Sequence, residues 1–187
     1  MNRTKENGLL AFSLVGLIVF GCSLGKQANS PNSNNPSPAP QAEKTEPAKP
    51  IAPAAGDLKA GEASGSYTAK GQVVQLKYAY AGHAQRFGHD SLVILLTDQP
   101  IPPDALAEEI KDQTLLLAEK IKGLEYAVDQ DGYWVRYHPS QTQESKNGQL
   151  KDFVVTGDAV KGSDEDTGEA FQGRYARSVK FFATISK

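Results

Sequence analysis

Three sets of residues in this chain combine types and spacings that could do chemistry. His83 and His89 fall in the turn-like stretch 82–90 with Asp90 beside the second, while His138 lies far along the chain. Imidazole is the commonest zinc ligand, so these groups would make a metal site if the fold gathered them. A six-residue spacing matches no standard metal motif, and solvated loop histidines are the simpler expectation. Asp164, Asp166 and Glu169 place carboxylates around Gly168, a pattern that could wrap a hard cation such as calcium with oxygens. An EF-hand loop needs an oxygen ligand immediately before its glycine and a bidentate Glu six residues after it. Here Thr167 precedes Gly168 and Arg174 stands six beyond, so the stretch reads first as an acidic, solvated hairpin loop. The third set is Trp134, Arg136 and His138, which share one face of a strand whose other face carries Tyr133, Val135 and Tyr137. If the first of these faces is exposed, it makes an aromatic and cationic patch suited to a glycan or a protein partner.

The elements that must position these groups are mostly strands. In Gln72–Tyr80 the even positions Val74, Leu76, Tyr78 and Tyr80 are large and apolar or aromatic, as a half-buried strand requires. Leu92–Leu96 is continuously apolar, which predicts a central strand covered on both faces. Val128 and Tyr133 flank Asp131–Gly132, a hairpin signal that gives Asp129 and Asp131 a turn role. Phe153–Val155 is a short strand candidate. Near the C-terminus Val179, Phe181, Ala183 and Ile185 point one way and Lys180, Thr184 and Ser186 the other. One helix is expected over about 104–122. Asp104 would be its N-cap, Glu108 and Glu109 would sit at its positive end, Lys120 and Lys122 at its negative end, and Gly123 would stop it. Leu106, Ile110, Leu117 and Ile121 would form its buried face. The expected fold class is α+β, mostly β: an antiparallel sheet or sandwich of about seven or eight strands with one packed helix.

Catalytic motifs are missing from this sequence. It has no Gly-x-Ser-x-Gly elbow, no His-Glu-x-x-His and no glycine-rich phosphate loop. A carboxylate pair acting as in glycosidases would be invisible before folding, which leaves a carboxylate-dependent hydrolase as an alternative to a binding module. The charge is mildly acidic. Removing Arg3, Lys5 and Glu6 from the 20 basic and 22 acidic residues leaves 18 against 21, so there is no basic field for nucleic acid.

Arg3 and Lys5 precede an apolar run from Leu9 to Phe20, shorter than the roughly 20 residues a membrane-spanning helix needs. The sequence Val19-Phe20-Gly21-Cys22 that ends it resembles the lipobox of bacterial membrane lipoproteins, and Cys22 is the single cysteine of the chain. The resemblance implies that residues 1–21 are a signal peptide and that Cys22 carries a covalent lipid anchor. It also implies an envelope location, with Ser23 favouring the outer over the inner membrane in a Gram-negative host. No other cofactor is expected. Residues 24–62 hold seven of the eleven prolines among Asn, Ser and Ala, a composition that predicts a disordered or PPII-like tether over 22–62. About 40 such residues would average roughly 35 Å end to end as a coil and reach about 120 Å as PPII. The globular domain is expected over 63–187. Within it, Gly65–Tyr67, Val74–Ala81 and Leu95–Pro102 resemble segments of an uncharacterised family of exported bacterial β-rich domains, a family with no activity to transfer.

Overall fold

The computed structural model describes residues 48–53 and 56–186. The proposed signal peptide, Cys22 and the tether up to residue 47 lie outside the described residues.

Among the described residues ten strands form a single sheet: β1 (Glu62–Ala69), β2 (Gln72–Gln75), β3 (Tyr78–Arg86), β4 (His89–Thr97), β5 (Gly123–Val128), β6 (Gly132–His138), β7 (Thr142–Asn147), β8 (Lys151–Thr156), β9 (Ala159–Asp166) and β10 (Tyr175–Ser186). Their order is β7-β6-β5-β4-β3-β1-β10-β9-β8, with β2 paired beside β1. All pairs are antiparallel except a short parallel contact of β10 with β3. Strands β7 and β8 stand at opposite ends of that order, yet only residues 148–150 join them. The two ends of the path must therefore adjoin, and the sheet curls on itself. Leu150 is buried at this seam.

The fold is mostly β with a helical layer on one side, as the alternation predicts. Inside the curl lie Tyr67, Ile94, Leu96, Tyr126, Val135, Tyr137, Val179 and Phe181. On the outside, Val93, Leu95 and Ala84 pack under Ile101, Ile110, Leu116 and Ile121. The continuous apolar run of β4 has this cause: its alternate residues serve two separate cores.

Several sequence expectations are corrected in detail. The chain does not hold one strand through Gln72–Tyr80, because the amide of Leu76 bonds back to Gly65 and that of Lys77 crosses to Thr97. The bend changes the phase of alternation, so Val74 and Leu76 enter the inner core while Tyr80 joins the outer one. The single helix over 104–122 is instead two short ones, α1 (Leu106–Asp112) and α2 (Thr114–Leu117). Gln113, at φ 56°, breaks them, and the flanking Ala105 rather than Asp104 occupies the N-cap position without a side-chain cap. The buried carboxylate of Glu109 accepts the amides of Leu115 and Leu116 at 2.8 and 3.0 Å, so it caps α2 instead of facing solvent at the start of α1. The break also rotates the second apolar contact by one residue: Leu116 is buried and Leu117 is 43% exposed. Gly123 opens β5 and stops no helix; a Cβ there would stand 2.3 Å from the Leu96 carbonyl.

The sheet begins at Glu62, and part of the stretch before it is ordered as well. Residues 48–53 lie along the outer face of β1, where the Thr68 hydroxyl donates to the Ala48 carbonyl at 3.0 Å and the Ile51 amide donates to Ser66 Oγ at 2.5 Å. An extended proline-containing segment has no internal backbone bonds, and the hydroxyls of Ser66 and Thr68 supply partners for it.

Candidate functional site

The curl brings two charged clusters together, one on each side of the sheet. The inner one surrounds Arg177, whose side chain is fully buried. Its Nε donates to Asp164 Oδ2 at 2.5 Å, and one terminal nitrogen donates to Tyr137 Oη at 2.5 Å and Glu144 Oε2 at 3.2 Å. The other lies 3.6 Å from Asp166. Tyr133 donates to the second oxygen of Asp164, and Lys146 Nζ donates to Asp166 at 2.6 Å. Burial pushes the Tyr137 phenol above the usual tyrosine range against the pull of Arg177, so it stays protonated and donates to Glu144. These contacts link β9 and β10 to β6 and β7, which are not neighbours in the sheet. They therefore tie the curl across its interior.

This arrangement decides where the expected acidic loop goes. Asp164 and Asp166 are on β9, not in a loop, and side-chain cations already occupy the space between them and the neighbouring strands. Glu169 begins the 3₁₀ turn Glu169–Phe171, apart from that cluster. The three histidines are not assembled either. His83, His89 and Asp90 sit on β3 and β4, where they line an open cleft of about 480 Å³ together with Asp129 and Asp131. His138 is fully buried on the far side of the sheet. Among the described residues no group of three or more His, Cys, Asp or Glu side chains is set to hold a metal ion.

The outer cluster is built on Glu125 of β5, a carboxylate 3% exposed on the same face as Trp134, Arg136 and His138 of β6. The tip of the β3–β4 hairpin folds over it. Arg86 Nε donates to Glu125 Oε1 at 2.5 Å, while the terminal nitrogens of Arg86 donate to the carbonyls of Ile110 and Lys111 and so fasten α1 to the sheet. Gln113 donates to Oε1 as well, and its own carbonyl accepts from Arg136 at 2.9 Å. This pairing explains why the helix breaks at Gln113. Arg136 stands 3.4 Å from Oε2 and donates to Gln143 of β7 at 3.2 Å. The His138 imidazole is 3.7 Å from Oε2, and among the described residues neither of its nitrogens makes a hydrogen bond.

Burial pushes the Glu125 carboxyl up, but His138, the Arg86 hydrogen bond and the charges of both arginines outweigh it and hold the group below the usual carboxylate range. A group whose folded value is lowered stabilises the fold above its unfolded value and loses that contribution as the pH falls through the folded one. Urea unfolding midpoints are therefore expected to drop from about pH 5 to about pH 3, and Glu125→Gln is expected to flatten that acid limb. An unchanged acid limb in the variant would contradict this role.

Phe87 closes the site. It occupies the first position of a two-residue hairpin turn at φ 54°, followed by Gly88 at φ 84°, where Asn, Asp or Gly is the usual choice. Left-handed backbone costs a residue with a Cβ about 1–2 kcal/mol. The Phe87 ring offsets that by lying 4.6 Å from the Trp134 ring, a contact of about 0.5–1.5 kcal/mol beyond its buried area. Arg136 sits 5.9 Å from the Phe87 centroid. The gap bounded by Phe87, Glu125, Trp134, Arg136 and Gln143 holds only about 10 Å³. Phe87 remains 48% exposed, so aromatic surface faces solvent.

The structure thus brings Trp134, Arg136 and His138 to one face as their alternation predicts, with Trp134 and Arg136 partly exposed and His138 sealed beneath. Sequence reasoning missed Glu125, Arg86, Gln113 and Phe87. One signal was present: Glu125 interrupts the otherwise apolar Leu124–Val128, and a charge there needs partners. No protein-family model, curated protein or solved structure matches this chain.

Proposed function

We propose that this chain is a lipid-anchored module of a bacterial cell envelope, held to the membrane through Cys22, whose β-domain binds a partner with the outer face of β5, β6 and β7. The anchor rests on the resemblance of Val19–Cys22 to a lipobox. The observation that carries the binding reading is the exposed Phe87–Trp134 stack beside Arg136. Its guanidinium is fixed by Gln113, Gln143 and Glu125, so little side-chain entropy is lost when a partner docks. Exposed aromatics and arginine over a rigid support are the groups that dominate binding energies.

Affinity capture from envelope extract tests this reading with the wild-type protein, Trp134→Ala, and Lys180→Ala on a different part of the sheet. A component retained by wild type and Lys180→Ala but lost with Trp134→Ala is the expected result, once circular dichroism shows that the variants are folded. Capture unaffected by Trp134→Ala, or no capture by wild type, would contradict it.

A further inference from the structure

We infer that the ligand of this face is an acidic glycan, in which a uronic-acid ring lies on the Phe87–Trp134 surface with its carboxylate at Arg136. The inference rests on the binding role proposed above and narrows it to a chemical class. The gap between the aromatic rings and Arg136 is about 10 Å³, far too small to enclose a ligand, so the ligand must lie flat on the surface. A pyranose ring presents an apolar face of C–H groups to an aromatic surface and hydroxyls at its rim. The neutral polar groups such hydroxyls need are at hand: by strand register Ser145 stands beside Trp134 and Gln143 beside Arg136.

Charge selects an acid. Beneath the rings, two arginines, Arg86 and Arg136, face the one carboxylate of Glu125. Arg136 is already oriented by three acceptors, and a planar guanidinium pairs with a carboxylate through two hydrogen bonds. Lys146 lines the same hollow beside Trp134 but is paired with Asp166, and toward the β5–β6 turn Trp134 adjoins Asp129 and Asp131. Their charges disfavour a ligand carboxylate at that end, so the gradient from Asp131 to Arg136 also sets the direction in which the ring lies. A neutral sugar would leave the arginine end uncompensated.

Trp134 is the single tryptophan of the chain, so its fluorescence reports directly on this surface. The full chain is titrated with oligogalacturonate, with its methyl ester, in which the carboxylates are neutral, and with an oligoglutamate peptide. Oligogalacturonate is expected to give a saturable change that weakens with added salt. The methyl ester, and Arg136→Gln with the acid, are each expected to bind about tenfold or more weakly. Arg136→Lys, which keeps the charge but loses the fork, should fall between wild type and Arg136→Gln. Equal binding of acid and ester, or no response to either, overturns the acidic-glycan assignment. A response to oligoglutamate alone also overturns it and identifies an acidic protein segment as the occupant. In each of these failures, envelope capture that still depends on Trp134 leaves the binding face standing, whereas capture independent of Trp134 removes both.

Discussion

Arg177→Leu is expected to lower the unfolding free energy by about 3–5 kcal/mol, read from urea denaturation at neutral pH. The side chain is fully buried and holds Asp164 and Glu144, both less than a tenth exposed, from opposite sides of the curled sheet. Leucine would fill much of the volume but leave Asp164 in the interior without its cation, and Glu144 with only the part-exposed Lys146 as a cation at 3.3 Å. That penalty, not the loss of the ion pairs themselves, is the source of the effect, since replacing all members of a buried cluster by apolar groups is often close to neutral. Adding Asp164→Asn and Glu144→Gln to Arg177→Leu should therefore recover part of the loss. A drop in Arg177→Leu within about 0.5 kcal/mol, the range of ordinary surface substitutions, would show that the cluster does not tie the curl.

How much of this was legible in the sequence depends on the range of the interaction that decided each feature. The two-sided apolar run of β4, the Asp-Gly hairpin between β5 and β6 and the alternation of β10 are local patterns, and they stand as expected. The helix failed because its fate was decided at long range. Residues 104–122 carry good helical spacing, but Gln113 is drawn to Glu125 and Arg136, and Glu109 satisfies the amides that the break exposes. The strand count fell short because polar stretches such as Thr142–Asn147 carry no apolar alternation; Glu144 and Lys146 point inward only because Arg177 and Asp166 await them there. The same logic misplaced Asp164. Its position among acidic residues suggested a solvated loop, and nothing nearby in the chain announces that its partner is 13 residues away on the next strand. For the candidate site, alternation along β6 correctly grouped Trp134, Arg136 and His138, while the groups that support them arrive from β3, β5 and the helix break.

The second large effect concerns location. The sequence preceding Cys22 has a charged start, a short apolar run and a small residue before the cysteine, and the chain offers no other thiol for acylation. Two or three acyl chains on one residue hold a protein firmly to a bilayer, whereas a single chain does so only marginally. Among the described residues no helix is long and apolar enough to cross a membrane, so no described helix would take over the anchoring. Loss of the Cys22 thiol is thus expected to change the distribution of the protein almost completely.

The measurement that tests the account most directly is metabolic labelling with a radioactive or clickable fatty acid in a bacterial host, followed by membrane fractionation, for wild type and Cys22→Ser. Wild type is expected to carry the label and sediment with membranes; Cys22→Ser is expected to carry none and to lose the processing that depends on the cysteine. If Cys22→Ser still takes up label or fractionates with membranes as wild type does, the anchor lies elsewhere and the account of a Cys22-tethered module is wrong.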